Sequence, residues 1–370
     1  MPAAVTLVAC GAAMGSLAHV RPPFPFGPAL LFVLLPPLVF EAAWNIDLAG
    51  LRAGAGRIVL LAFPGTLLSA GGVAAALVLT RLAPFAEALV FGAIVSATDP
   101  VAVVAIFRRT GVPAHVRTIA EAESLANDGV AIVLYGLAVA IAGGAVITLG
   151  GAIATAFATI AGGTLVGVLA ALPVVALRTR ARIAWLSFVA TIALAYVAYE
   201  GALLAHASGI FATATAALVI RLAEPLAPTP SDVPVARLRE ARFTLDYVWE
   251  RIAFLANATA FFTAGLLVDV PRAFHEIGFA AVGIVALFAT RAALALVAAP
   301  DAESRAAIFL AGMRGGLPLA LALALPPDLP GRAIVVDGVF ATVLVTLVLQ
   351  GLLLEPILRR VSQRSPAGAA

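Results

Sequence analysis

Five ionisable side chains interrupt long apolar runs: Glu41 in PPLVFEAAWN, Asp99 in SATDPVAVVAI, Glu123 and Asp128 in EAESLANDGVAIV, and Arg314 in AGMRGGLPLA. A charge placed in hydrocarbon costs roughly 2.5–3.5 kcal/mol even on the lenient insertion scale, so each marks function by default. Glu41 is three residues from the end of its run and could simply reach water. Asp99 and Asp128 are flanked by apolar residues on both sides. Glu123 with Asn127, and Ser124 with Asp128, are i,i+4 pairs, so one helix face offers two carboxylates, an amide and a hydroxyl. Oxygen donors suit a hard cation, and the absence of Cys and His from this stretch argues against zinc or a redox metal. A carboxylate in a partly dry cavity holds a cation or a proton, but rarely both. Competition for one carboxylate is then enough to couple two ion fluxes.

Two of the charged runs are also interrupted in the backbone. Pro100 lacks an N–H, crowds the carbonyl of Ser96 and pushes Asp99 out of helical geometry. Gly315, Gly316 and Pro318 do the same beside Arg314. Breaks next to a charge in two runs far apart in the chain are how a transporter with inverted repeats builds a midplane site from half-helix ends. Asp99 is expected beside partly positive helix N-termini. Arg314 is expected at the end of a half-helix, where exposed carbonyls are negative.

These residues need a scaffold, and the composition specifies which kind. Of 370 residues, 62% are hydrophobic and 12% charged, with mean hydropathy +1.08. Soluble domains are about 45–50% apolar and about 25% charged. Apolar stretches of membrane-spanning length recur along nearly the whole chain. The expected fold is an all-α polytopic membrane protein with about 12 spans: 3–20, 28–44, 57–80, 84–107, 118–140, 145–176, 183–203, 207–222, 243–269, 273–300, 303–327 and 332–358. The sixth is long enough to contain a tilt or a break. A single transmembrane domain over 1–360 is expected, with a linker near 223–242 and a short cytoplasmic tail at 361–370.

Every basic residue is Arg. Loops after even-numbered spans and the tail hold sixteen of the 23, and loops after odd-numbered spans hold four. The excess of Arg on one side places both termini in the cytoplasm. The net charge of +3 does not imply nucleic acid, because the Arg residues sit in short loops rather than on one basic face. Cys10 is the only cysteine, so no internal disulfide forms. Residues 3–20 lack the basic start of a signal peptide and are followed at once by further spans.

At these motifs the chain resembles the sodium/proton exchanger family, in its NhaP-like bacterial branch. The matching segments are PPLVFEAAWN, SATDPVAVV, ESLANDGVAIV, SGIFA at 208–212, GMRGGLPLAL and LVLQGLLLEP. They run in family order. The resemblance implies a monovalent cation:proton antiporter of the bacterial inner membrane, without a resident cofactor. It implies that Asp128 carries the ion and the proton, partnered by Asn127, and that Thr98 and Asp99 line the same site. Glu41 and Ser124 would contribute oxygens, with Asp128, Asp99 and Glu41 holding the cation transiently. It further implies a structural Glu123–Arg314 ion pair, a homodimer embedded in lipid, and a more loosely carried role for Arg291. Relatives usually have thirteen spans, so the first family helix is expected to be missing.

Three other readings compete. A Na⁺-coupled organic-anion symporter of similar fold would need more hydrogen-bond donors at its site. A non-transporting channel-like or sensory protein would keep the fold without exchange. An intramembrane protease could use Asp99 and Asp128 as a paired carboxylate, although the surrounding motif fits an exchanger better than an enzyme. Selectivity among Na⁺, K⁺ and Li⁺ depends on cavity size and ligand number, which spacing along the chain does not fix.

Overall fold

The computed structural model describes residues 3–18, 26–99, 101–110, 112–180, 184–223, 235–268, 270–299 and 301–362. Pro100, residues 224–234 of the expected linker and the tail beyond 362 lie outside the described residues. Regular structure among the described residues is α-helical throughout. The first eight helices are α1 (Ala3–Ala18), α2 (Phe26–Asn45), α3 (Leu48–Ala62), α4 (Pro64–Leu79), α5 (Phe85–Ser96), α6 (Val101–Thr110), α7 (Ala114–Ala142) and α8 (Leu149–Arg180). They are followed by α9 (Ala184–Leu204), α10 (Gly209–Ala223), α11 (Val235–Leu267), α12 (Val270–His275), α13 (Ile277–Ala298), α14 (Ala302–Leu310), α15 (Gly316–Leu323) and α16 (Arg332–Ser362).

Among the described residues, five helical segments are long and apolar enough to cross a membrane: Leu48–Leu79, Ala114–Ala142, Leu149–Leu177, Ile277–Ala298 and Arg332–Leu349. The expected spans 84–107 and 303–327 are each divided, into α5 and α6 and into α14 and α15, at the Pro- and Gly-containing breaks. The long sixth span is continuous: α8 runs through Pro173 without interruption. The junction of α3 and α4 is only a kink. Phe63 still donates to the carbonyl of Val59, Leu67 donates to that of Phe63, and Pro64 occupies the first turn of α4, where its missing N–H costs nothing.

The chain divides into two compact units. The first comprises residues 1–31, 47–148 and 258–370, and so holds α3–α7 and α12–α16. Within it α7 packs on α3 and α5, α13 packs on α4 and α14, and α16 packs on α5, α13, α14 and α15. The core between these helices includes Phe91 and Phe279, edge to face at 4.7 Å, with Val73, Phe107, Met313 and Val339. Lipid tails are as apolar as leucine, so close packing rather than exclusion from water holds such helices together. Gly92 shows how close they come: a methyl group on it would overlap the carbonyl oxygen of Ala70, so α5 lies backbone to backbone on α4.

The second unit comprises residues 32–46 and 149–257. Here α8, α9 and α10 pack together. Phe40 stacks between Trp44 and Trp249, at 5.9 and 4.5 Å, and all three rings are fully buried. Buried Trp needs an acceptor for its N–H. Trp44 Nε1 donates to Asp246 at 2.7 Å and Trp249 Nε1 to Thr191 Oγ1 at 3.3 Å, which pins α2 and α9 to α11.

Candidate ion-binding site

Helix α5 stops at Ser96, and Ala97 is already extended (φ −62°, ψ 140°). Helix α14 stops at Leu310, and α15 does not begin until Gly316. Unwound backbone in a membrane survives only where protein groups take up its hydrogen bonds. Here they do. The Thr98 N–H donates to Asn127 Oδ1 at 3.3 Å, and the Asp99 N–H donates to the Met313 carbonyl at 2.8 Å. The second bond joins the two unwound stretches directly. Arg314 reaches back across them: its Nε donates to the Val95 carbonyl at 2.7 Å and its Nη1 to the Gly312 carbonyl. A buried guanidinium thus covers the carbonyl ends of both α5 and α14, where the helix dipole is negative.

The α7 face forms the other wall. Asn127 Nδ2 donates to Thr98 Oγ1 at 2.7 Å and to Glu123 Oε1 at 2.9 Å. Thr98 Oγ1 in turn donates to Ser124 Oγ at 3.1 Å, and Ser124 Oγ donates to the Thr98 carbonyl at 2.7 Å. The chain therefore runs in one sense, from amide to hydroxyl to hydroxyl to carbonyl. Thr98, Ser124 and Asn127, expected at one site, are brought together by these bonds, and all three are buried.

Glu123 pairs with a different arginine from the one expected. Arg291 on α13 grips it with two parallel bonds, Nη1 to Oε1 at 3.0 Å and Nη2 to Oε2 at 2.9 Å, while Arg291 Nε donates to the Ile308 carbonyl at 2.9 Å. The expected Glu123–Arg314 pair is therefore corrected to Glu123–Arg291. Arg314 donates instead to the carbonyls of Val95 and Gly312, which the unwound backbone beside it leaves open. A planar guanidinium matches a carboxylate edge to edge, so the Glu123–Arg291 geometry is the strong form of this contact.

Asp128, one residue beyond Asn127, faces the same break and feels the charges of Asp99 and Glu123. Its Oδ1 is shut off from solvent and has no hydrogen-bond partner among the described residues. Around it the side-chain polar groups of Thr98, Ser124, Asn127 and Glu123 are matched. Asp99 packs its carboxylate against the Cα of Gly315, the residue that precedes α15. Glu41 belongs to the second unit, on α2, where Asn45 Nδ2 donates to its Oε1 at 2.7 Å.

The family model described as sodium/hydrogen exchanger, transmembrane, matches residues 1–360. The chain belongs to that family. It is 30% identical over 343 residues to the Na⁺/H⁺ antiporter ApNhaP of Aphanothece halophytica, covering 90% of this chain and 64% of that one. It is 30% identical over 361 residues to the Na⁺/H⁺ antiporter NhaP of Pseudomonas aeruginosa, covering 92% and 83%. The fold is similar to that of the sodium proton antiporter MjNhaP1 from Methanocaldococcus jannaschii, with a TM-score of 0.76, 18% identity, and 97% and 92% of the two chains covered. The chain spans about two thirds or less of the length of the first relatives it matches.

Within this exchanger-family fold the chain is a multi-pass, all-helical membrane protein of the NhaP-like kind. Sequence reasoning ranked Arg291 too low. Its signal was present, a charge in the middle of the apolar run GIVALFATRAALALV. Exposed carbonyls at the end of the first half-helix were expected beside Arg314, and Gly312 supplies one, but the carbonyls of Val95, Ile308 and Met313 were missed. Nothing in a side-chain pattern announces a backbone acceptor.

Proposed function

We propose that this chain exchanges a monovalent cation, Na⁺ or K⁺ and possibly Li⁺, for H⁺ across a bacterial inner membrane, with Asp128 as the group for which the two ions compete. The observation that carries the reading is the buried, unpartnered Oδ1 of Asp128 in a cluster where the neighbouring polar side chains are matched. A cation there meets mixed oxygen ligands, namely the carboxylates of Asp128 and Asp99 and the hydroxyls of Thr98 and Ser124, with Asn127 as partner. Family membership and the named antiporter relatives support the same direction.

Charge balance favours one-for-one, electroneutral exchange. Two guanidinium groups, Arg291 and Arg314, stand against three carboxylates, Glu123, Asp99 and Asp128, which leaves one negative charge. One proton or one monovalent cation neutralises it. The same reading includes alternating access around the two broken helices, about twelve spans arranged as inverted repeats, cytoplasmic termini and a homodimer.

The test is exchange in proteoliposomes, scanning Na⁺, K⁺ and Li⁺ across pH. Asp128→Asn should abolish exchange while the protein stays in the membrane. More than a small residual rate would assign the ion to another carboxylate. Each net charge moved feels about 2.3 kcal/mol per 100 mV, so a Na⁺-driven rate that depends strongly on an imposed potential would overturn electroneutrality. Uptake of an organic anion with Na⁺, without proton movement, would establish the symporter reading instead.

A further inference from the structure

Gly315 carries no side chain, and the space a Cβ would fill is already taken by Asp99. Its backbone angles, φ −114° and ψ −147°, are extended and do not themselves require glycine. The requirement comes from across the break. A methyl group on Gly315 would overlap Oδ2, Cγ and also Cβ of Asp99. Rotating the Asp99 side chain moves the first two atoms clear but leaves Cβ where it is, because Cβ moves only with the backbone. That backbone is tied down: the Asp99 N–H donates to the carbonyl of Met313 at 2.8 Å, two residues before Gly315. The neighbouring glycines are different. A Cβ on Gly312 would come no closer than 3.1 Å to Arg314 Nη1 and 3.3 Å to Arg291 Nε, and one on Gly316 no closer than 3.0 Å to the Cβ of Ala260.

We infer that Gly315 is a positioning residue for the ion site: by leaving its Cβ space to Asp99, it sets how closely the Asp99 carboxylate sits against the start of α15 and hence how tightly the site holds its cation. The inference rests on the exchange reading above. The N-terminal end of α15 carries partial positive charge, which favours a carboxylate placed against it. Misplacing a catalytic group by about an ångström can cost about a hundredfold in rate, and the pull of a carboxylate on a small ion likewise weakens as their distance grows.

The test compares Na⁺-driven exchange by the unaltered protein and by Gly315→Ala in proteoliposomes, reading KM for Na⁺ and maximal rate separately across pH. The expected result is a KM raised about tenfold or more, with a smaller change in maximal rate and a displaced pH profile. An unchanged KM, or a loss confined to maximal rate, would overturn the inference. Asp99→Gly removes the three atoms nearest the new methyl, so melting in detergent supplies a second arm. Gly315→Ala should lower the melting temperature in the native background and not in the Asp99→Gly background. An equal fall in both would show that Asp99 is not what Gly315 makes room for. The same vesicles keep the claims apart: no exchange by the unaltered protein sinks the exchange reading, full exchange by Asp128→Asn sinks the Asp128 assignment, and a dead Asp128→Asn beside an unmoved Gly315→Ala sinks only this inference.

Discussion

Proline interrupts several helices of this protein, but only some of them break. Helix α8 carries Pro173 and runs from Leu149 to Arg180 without a gap, α2 contains Pro36 and Pro37, and α16 contains Pro356. The stretches at 97–99 and 312–315 are unwound. The difference is what waits beside them. At the two breaks Asn127, Ser124 and Arg314 take up backbone groups of Thr98, Val95 and Gly312, and the breaks serve each other through Asp99 and Met313. In a membrane, a proline alone costs one hydrogen bond and bends a helix, whereas an unwound segment needs a full set of substitutes. A break therefore reports polar side chains gathered around it.

That comparison predicts where substitution hurts. The largest effect is expected at the anchor that orients the α7 face. Glu123→Ala or Arg291→Ala strands a buried charge, at about 3–5 kcal/mol, and the double variant should recover part of the loss in a detergent melting cycle. The same cycle with Arg314→Ala in place of Arg291→Ala should come out closer to additive. Strong coupling between Glu123 and Arg314 would restore the pairing that the sequence suggested.

Ser124→Ala should cost less, about 1–3 kcal/mol, because it leaves the Thr98 carbonyl at the break without its donor. A melting temperature equal to that of the unaltered protein would show that the unwound segment does not depend on its side-chain partners.

Smaller again is the cap of α14, the half-helix that leads into the second break. Asp301 accepts from the Ser304 N–H at 2.7 Å, and that bond holds its carboxyl below the ordinary Asp range. Asp301→Ala should cost about 1 kcal/mol near neutral pH, and Asp301→Asn much less, since Asn caps equally well. A carboxyl with a lowered folded pKa contributes fully above its unfolded value, about 4, and loses that contribution as pH falls through the folded value. The melting gap between Asp301→Ala and the unaltered protein should therefore close in acid. A gap independent of pH would place the effect elsewhere than in the ionised cap.

The smallest effect is expected at Pro173→Ala, within about 1 kcal/mol, because α8 is already continuous. A large change there would mean that the intact proline helices are under the same demands as the broken ones.

The amino-acid order by itself determined the medium and the places where regular structure fails. An apolar chain with few charges has no stable surface in water, and Pro100 or Gly315–Gly316 beside a charge disfavours helix locally, whatever the partners. The face of α7 was equally legible, because i,i+4 neighbours on a helix meet by geometry alone. Three things were decided only in the folded molecule. Glu123 chose Arg291, 168 residues away, over Arg314, and α8 stayed whole across Pro173. Asp99 settled into the gap left by Gly315. Each depends on which groups α13, α14 and the two breaks bring within about 3 Å of one another. Separation along the chain carries no information about that distance. It follows from packing, in which a buried charge or an open carbonyl takes the partner that the surrounding helices place beside it.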